Sequence, residues 1–177
     1  FLDFETINPA IPRYEKTSPY QQVPFQFSVH RWTSWHADLS HDEYLHLDAT
    51  DPRPNLVPLL LEACQGEGSI VAYYCQFECQ RISELAEDFP EFKDQLESLL
   101  HRFVDPLPLF REFIYDNEFA GSFSLKSVAR AILGEEQSYK GMLVDNGSAA
   151  QRAFEQIIDP STDSLRRAQL IQASLDY

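Results

Sequence analysis

The sequence predicts an α/β domain on a mixed sheet, antiparallel at one side and parallel at the other, flanked by helices. Two observations predict it. Three short strand-like runs come first, FLDF at 1–4, PFQFSVHRW at 24–32 and EYLHLDA at 43–49, and they read as an antiparallel meander. After Asp51, Pro52 and Pro54, helical and strand patterns alternate, as in chains that build parallel strands through helical crossovers.

Taken in order, FLDF is a strand, and PFQFSVHRW is a second one with Phe25, Phe27 and Val29 on one face and Gln26, Ser28 and His30 on the other. Between them INPAIPRYEKTSPYQQV, rich in proline and aromatic residues, reads as a long ordered loop. NLVPLLLEACQ (55–65) reads as a helix, GSIVAYY (68–74) as a buried strand, and FECQRISELAEDF (77–89) as a helix. A further helix, EFKDQLESLLHR (91–102), leads to a short strand ending at Val104-Asp105. The remainder reads as helical: LPLFREFIY, SLKSVARAIL, SAAQRAFEQII and SLRRAQLIQASLDY, with a turn anchored by aromatics at FAGSF (119–123). Ser124 and Ser161 suit N-caps and Gly134 a C-cap.

The chain has 177 residues, 44% of them apolar and 13% aromatic, without a Gly/Ser-rich linker, so residues 1–177 are expected to form one domain. No apolar stretch approaches the roughly 20 residues that span a bilayer, and no basic-then-apolar leader stands in these residues, so a soluble protein without a membrane partner is expected. FLDFET begins inside a strand pattern and SLRRAQLIQASLDY carries no C-cap signal, which leads us to expect a piece of a longer chain with other domains. The cysteines, Cys64, Cys75 and Cys79, are odd in number and outside any metal-finger pattern, in keeping with free thiols in a reducing cytoplasm.

The net charge is −14, from 28 acidic and 14 basic residues, which disfavours a protein that coats duplex nucleic acid through many Lys and Arg contacts. A site gripping one strand end stays open, since bound divalent cations can supply positive charge.

Asp3 and Glu5 share one face of the first strand, because side chains alternate with a period of two. Two like charges so close repel unless a cation or proton sits between them, and carboxylates are the preferred ligands of hard divalent metals. The pair therefore reads either as metal or acid-base chemistry or as a solvent-facing edge strand. Glu78 opens the helix after a buried strand; it is either a first-turn acid favoured by the helix dipole or a group facing a cleft at the carboxyl end of that strand. Asp105, ending the next strand, reads either as a group facing the same cleft or, better supported, as the N-cap of the helix beginning at Pro106 or Leu107.

At this point the sequence resembles the DnaQ-like (DEDD) 3′–5′ exonucleases of ribonuclease H-like fold, and more closely an uncharacterised bacterial branch known as a domain of unknown function. FLDFET resembles the first exonuclease motif, a strand with D-x-E-T; YCQFE (74–78) falls where the second reads N-x-x-F-D; SLKSVARAILG resembles the "SL..LA..LG" helix; and LDY resembles the approach to the third motif, Y-x-x-x-D. The resemblance runs in order along the whole chain. It implies that Asp3, Glu5 and Glu78 hold two divalent cations, Mg²⁺ or Mn²⁺, and that Tyr177 orients or deprotonates the attacking water. It further implies hydrolysis of the phosphodiester at a single-stranded DNA or RNA end, with Thr6 and Tyr74, within the motifs, as substrate contacts. In the loop after the first motif, Tyr20, Gln21, Gln22 and Phe25 are candidates to stack on or hydrogen-bond a terminal nucleotide, Phe25 reading better as a core residue. The chain departs from the motif by carrying Tyr74 for asparagine and Glu78 for aspartate, and the last motif acid would fall four residues past Tyr177.

The charges Lys126, Arg130, Arg166 and Arg167 are possible phosphate contacts that more often are solvated on helices, and the five histidines make no H-x-x-x-H pair. Two rivals stand beside the nuclease. One is an inactive relative that keeps the fold as a nucleic-acid-binding or protein-interaction module; the other is an aspartate-nucleophile phosphatase, which needs an aspartate where this chain has Glu5.

Overall fold

The computed structural model describes residues 1–34, 36–134 and 142–177. Strand β1 (Leu2–Ile7) pairs antiparallel with β2 (Val23–Arg31), which pairs antiparallel with β3 (Ser40–Leu45), in the order β1-β2-β3. Helix α1 (Arg53–Ala63) carries Pro54 in its first turn, where a missing N–H costs nothing. A second sheet pairs β4 (Ile70–Val71) with β5 (Phe103–Val104) in parallel, the connection carrying α2 (Gln76–Asp88), a 3₁₀ turn (Pro90–Phe92) and α3 (Lys93–Leu100). Then come α4 (Leu107–Phe113), a 3₁₀ turn (Asn117–Phe119), α5 (Leu125–Leu133), α6 (Gly147–Ile158) and α7 (Ser164–Leu175). The mixed α/β class is as expected. The single continuous sheet is not seen among the described residues, because β4 is two residues long and its ladder partner is β5, not β1.

One core lies on the face of β1 that carries Leu2 and Phe4; with Phe27, Val29, Leu56, Leu60, Ile82 and Leu96 it is closed by α1, α2 and α3. A second core gathers Ile7, Val23 and Phe25 with Phe154 and Ile157 of α6 and Leu170 of α7. The link between them is a bulge: the register slips between Glu5 and Thr6, and Phe25 is left without a partner on β1. Strict alternation puts Phe25 with Phe27 and Val29. The bulge sends it instead onto Phe154, ring centroids 4.1 Å apart and 15° from parallel.

Strand β3 ends earlier than the alternation suggested, because Asp48 accepts from the Thr50 amide (2.8 Å) and turns the chain. Ser124 caps α5 as expected, accepting from the Ser127 amide, and Gly134 at φ 88° closes it with its N–H on the Arg130 carbonyl. The N-cap of α7 is Asp163 rather than Ser161; Ser161 donates to Asp159 in the preceding turn (2.7 Å). All three cysteines are free, and no helix among the described residues is long and apolar enough to cross a membrane.

Candidate active site

Asp3 and Glu78 line a single cavity of ≈ 400 Å³. A larger one of ≈ 510 Å³ beside Trp32 and Cys64 has no acid in its lining. Asp3 projects from β1 opposite Ser28 of β2, and Glu5 opposite Gln26, so the acids share the sheet face away from Leu2 and Phe4. Glu78, in the first turn of α2, is only 5% exposed, and its Oε2 has no hydrogen-bond partner within the protein. A buried carboxylate oxygen left without a partner is costly unless a proton or cation meets it.

The electrostatics agree with that burial. Burial pushes Glu78 up to about 7, helped by the charges of Asp3 and Asp105 and opposed by Arg81. Glu5 is pushed up to about 8 by burial and then by Asp3, with Lys126 pulling the other way. Asp3 keeps an accessible surface, yet it stands in a concavity with protein on most sides, and loss of water raises its pKa too. Asp3 is thus the charge that both glutamates feel.

Glu5 sits against the start of α6: a Cβ added to Gly147 would stand 3.6 Å from its Oε2. Lys126, on α5, places its ammonium on the Asp145 carbonyl and 5.5 Å from the centre of the Tyr177 ring. The structure therefore brings Tyr177, at the end of α7, near the Glu5 side of the site. It also makes Lys126 a site cation, where the sequence alone favoured a solvated helix position.

The other predicted contacts are arranged differently. Thr6 is buried, and its hydroxyl donates to Gln22 Oε1 at 2.6 Å, so these two hold each other and fix the loop after β1. Tyr20 and Tyr74 are both exposed and both left-handed, at φ 62° and 61°. For side chains this large that conformation is strained. At Tyr74 the strain is held by Asp105, whose carboxylate accepts from the amides of Tyr74 (2.9 Å), Cys75 (3.2 Å) and Leu107 (2.9 Å). Asp105 is thus a brace between the entry to α2 and the start of α4, more than a cap alone.

Three groups went unassigned in the sequence. Gln26 donates to the Ser174 carbonyl of α7 at 2.6 Å, while Ser28 and His30 extend the polar row and line the cavity with Asp3. Pairing Q-x-S-x-H with D-x-E in antiparallel register was the available signal.

Three carboxylates, one with an orphaned oxygen, are the donor chemistry that hard divalent cations take. Among the described residues no three acid, histidine or cysteine side chains already stand together as a cation site.

Residues 1–124 match a family model whose description is domain of unknown function, DUF2779. The chain belongs to that family. The match contains Asp3, Glu5, Glu78 and Asp105, and it stops at the N-cap of α5, before Lys126 and Tyr177. No curated protein and no solved structure matches the chain.

Proposed function

We propose that this chain is a metal-dependent nuclease of ribonuclease H-like fold that removes nucleotides from the 3′ end of single-stranded DNA or RNA, in a reducing cytoplasm. One observation carries the reading. Asp3, Glu5 and Glu78 are all desolvated, the Asp3 charge raises both glutamates, and Glu78 Oε2 has no partner, so Lys126 and Arg81 leave the negative charge incompletely offset. Mg²⁺ or Mn²⁺, when bound, supplies positive charge, activates water and stabilises the leaving 3′ oxygen. Asp3, Glu5 on the same strand and Glu78 on α2 would hold the cations, Asp3 being the charge that acts on both glutamates. Tyr177 orients the attacking water, and the Lys126 ammonium beside it offsets negative charge on the Glu5 side. Asp105 keeps the Tyr74–Cys75 turn, and hence Glu78, in place.

A second reading, an inactive module that binds nucleic acid or protein, is favoured by Tyr74 and Glu78 standing where the resemblance calls for asparagine and aspartate. One assay separates them. The full-length protein, with Mn²⁺ and 5′-labelled single-stranded DNA and RNA, is expected to give a ladder shortened from the 3′ end, and Asp3→Asn to give none. Binding without shortening supports the inactive module. No shortening, or equal shortening by Asp3→Asn, overturns the nuclease reading.

A further inference from the structure

We propose that the cavity holding Asp3 and Glu78 is a nucleobase site in which Ser28 and His30 read the edge of one unpaired base, making them specificity-determining residues. The choice of ligand rests on the nuclease reading. The cavity itself has two chemically opposite sides. One side is the sheet face, with Asp3, Ser28 and His30, and Glu78 from α2; the other is the apolar face of α5, with Leu125, Val128 and Ile132, continued by Phe110 of α4. Helix α5 does not close onto the sheet: Val128 is buried, but Leu125 and Ile132 remain 48% and 57% exposed. At ≈ 400 Å³ the space lies near the lower end of small-molecule sites, roughly 300–1,000 Å³.

The occupant has to satisfy both sides. A hydrocarbon chain leaves the orphaned Glu78 Oε2 and the Asp3 carboxylate facing apolar groups, and a fatty acid brings an anion to acids. A planar ring with donors and acceptors on its rim, tethered to a phosphate that metal-loaded acids can take, meets both. The polar atoms are preset: Ser28 Oγ lies 2.9 Å from His41 Nε2 and 3.5 Å from His30 Nδ1, and the His30 ring stacks on His41 with centroids 4.1 Å apart. That stack fixes the His30 ring plane, and a serine hydroxyl can donate and accept at once. A base paired in a duplex cannot present its edge there, so the site selects unpaired ends.

The test measures binding apart from turnover. The full-length protein with Mn²⁺ is titrated calorimetrically with AMP, GMP, CMP, UMP and ribose 5-phosphate, alongside Ser28→Ala, His30→Phe and Ile132→Asp. At least one nucleotide is expected to bind 10-fold or more tighter than ribose 5-phosphate, with at least 5-fold spread among bases. Ser28→Ala and His30→Phe flatten that spread, and Ile132→Asp weakens every nucleotide while sparing ribose 5-phosphate. Nucleotides binding no better than ribose 5-phosphate, or a spread unchanged in both sheet variants, overturns the proposal. Base-dependent binding without strand shortening leaves the base site standing and sinks the nuclease; shortening without base-dependent binding does the reverse.

Discussion

Leu2 and Phe4 point from β1 into a core sealed by α1, α2 and α3, while on the opposite face Asp3 lines a cavity that α5 only partly covers and Glu5 stands against the start of α6. The apolar face follows the usual rule, with side chains 4% and 3% exposed among other hydrocarbons. The acid face breaks it. Charged groups there lose water without gaining enough partners, an arrangement that weakens the fold and suits a ligand-binding centre. A single strand thus serves stability on one side and reactivity on the other, and changes to each side should fail in different ways.

The largest effect is expected on the sealed face. Phe4→Ala removes a ring from a filled core and should cost about 3–5 kcal/mol, read as a collapse of the melting temperature; a mild change would mean that this face is not the one holding the domain together.

The acid face should respond to pH in the opposite sense from ordinary carboxylates. Glu78 and Glu5 are raised to about 7 and about 8 in the folded chain, against roughly 4.3 unfolded, so the folded state holds extra protons between those values. Their contribution to stability is complete below about pH 4.3 and is lost as pH rises through 7 to 8. Metal-free protein should therefore melt at a higher temperature at pH 5.5 than at pH 8.5, with Mn²⁺ closing most of that gap. A metal-free protein more stable at pH 8.5 would remove the case for desolvated carboxylates.

How far this was legible in the sequence differs between the two faces. The alternation of Leu2, Asp3, Phe4 and Glu5 shows both faces at once, and the capping roles of Ser124 and Gly134 follow from local chemistry. The bulge at Phe25 is not legible, because a two-against-one pairing leaves no mark on the periodicity of either strand. Nor is the split of the sheet, since GSIVAYY reads as a full strand whereas only Ile70 and Val71 pair and the chain turns left-handed at Tyr74. The Thr6–Gln22 bond and the row of Ser28 and His30 beside Asp3 depend on register between distant segments, which one strand's pattern does not contain.

Smaller effects probe the brace between the faces. Asp105→Ala strips three amides of their acceptor and should cost about 2 kcal/mol, lowering the melting temperature by roughly 4–8 °C, together with nuclease activity through the loosened entry to α2. Loss of stability with full activity would separate the brace from the site. Tyr74→Gly relieves a left-handed side chain at φ 61° and should stabilise the fold by about 0.5–1 kcal/mol, a gain visible in denaturant unfolding; a loss would show that the Tyr74 ring packs usefully.

The central claim is that the open face of β1 is a divalent-cation site. Electron paramagnetic resonance of free Mn²⁺, titrated into the full-length protein at pH 7.5, measures it without reference to any substrate. The account predicts saturable binding that Asp3→Asn and Glu78→Gln each abolish while leaving the protein folded by circular dichroism. Binding of the same strength and number in the wild type and both variants would contradict it.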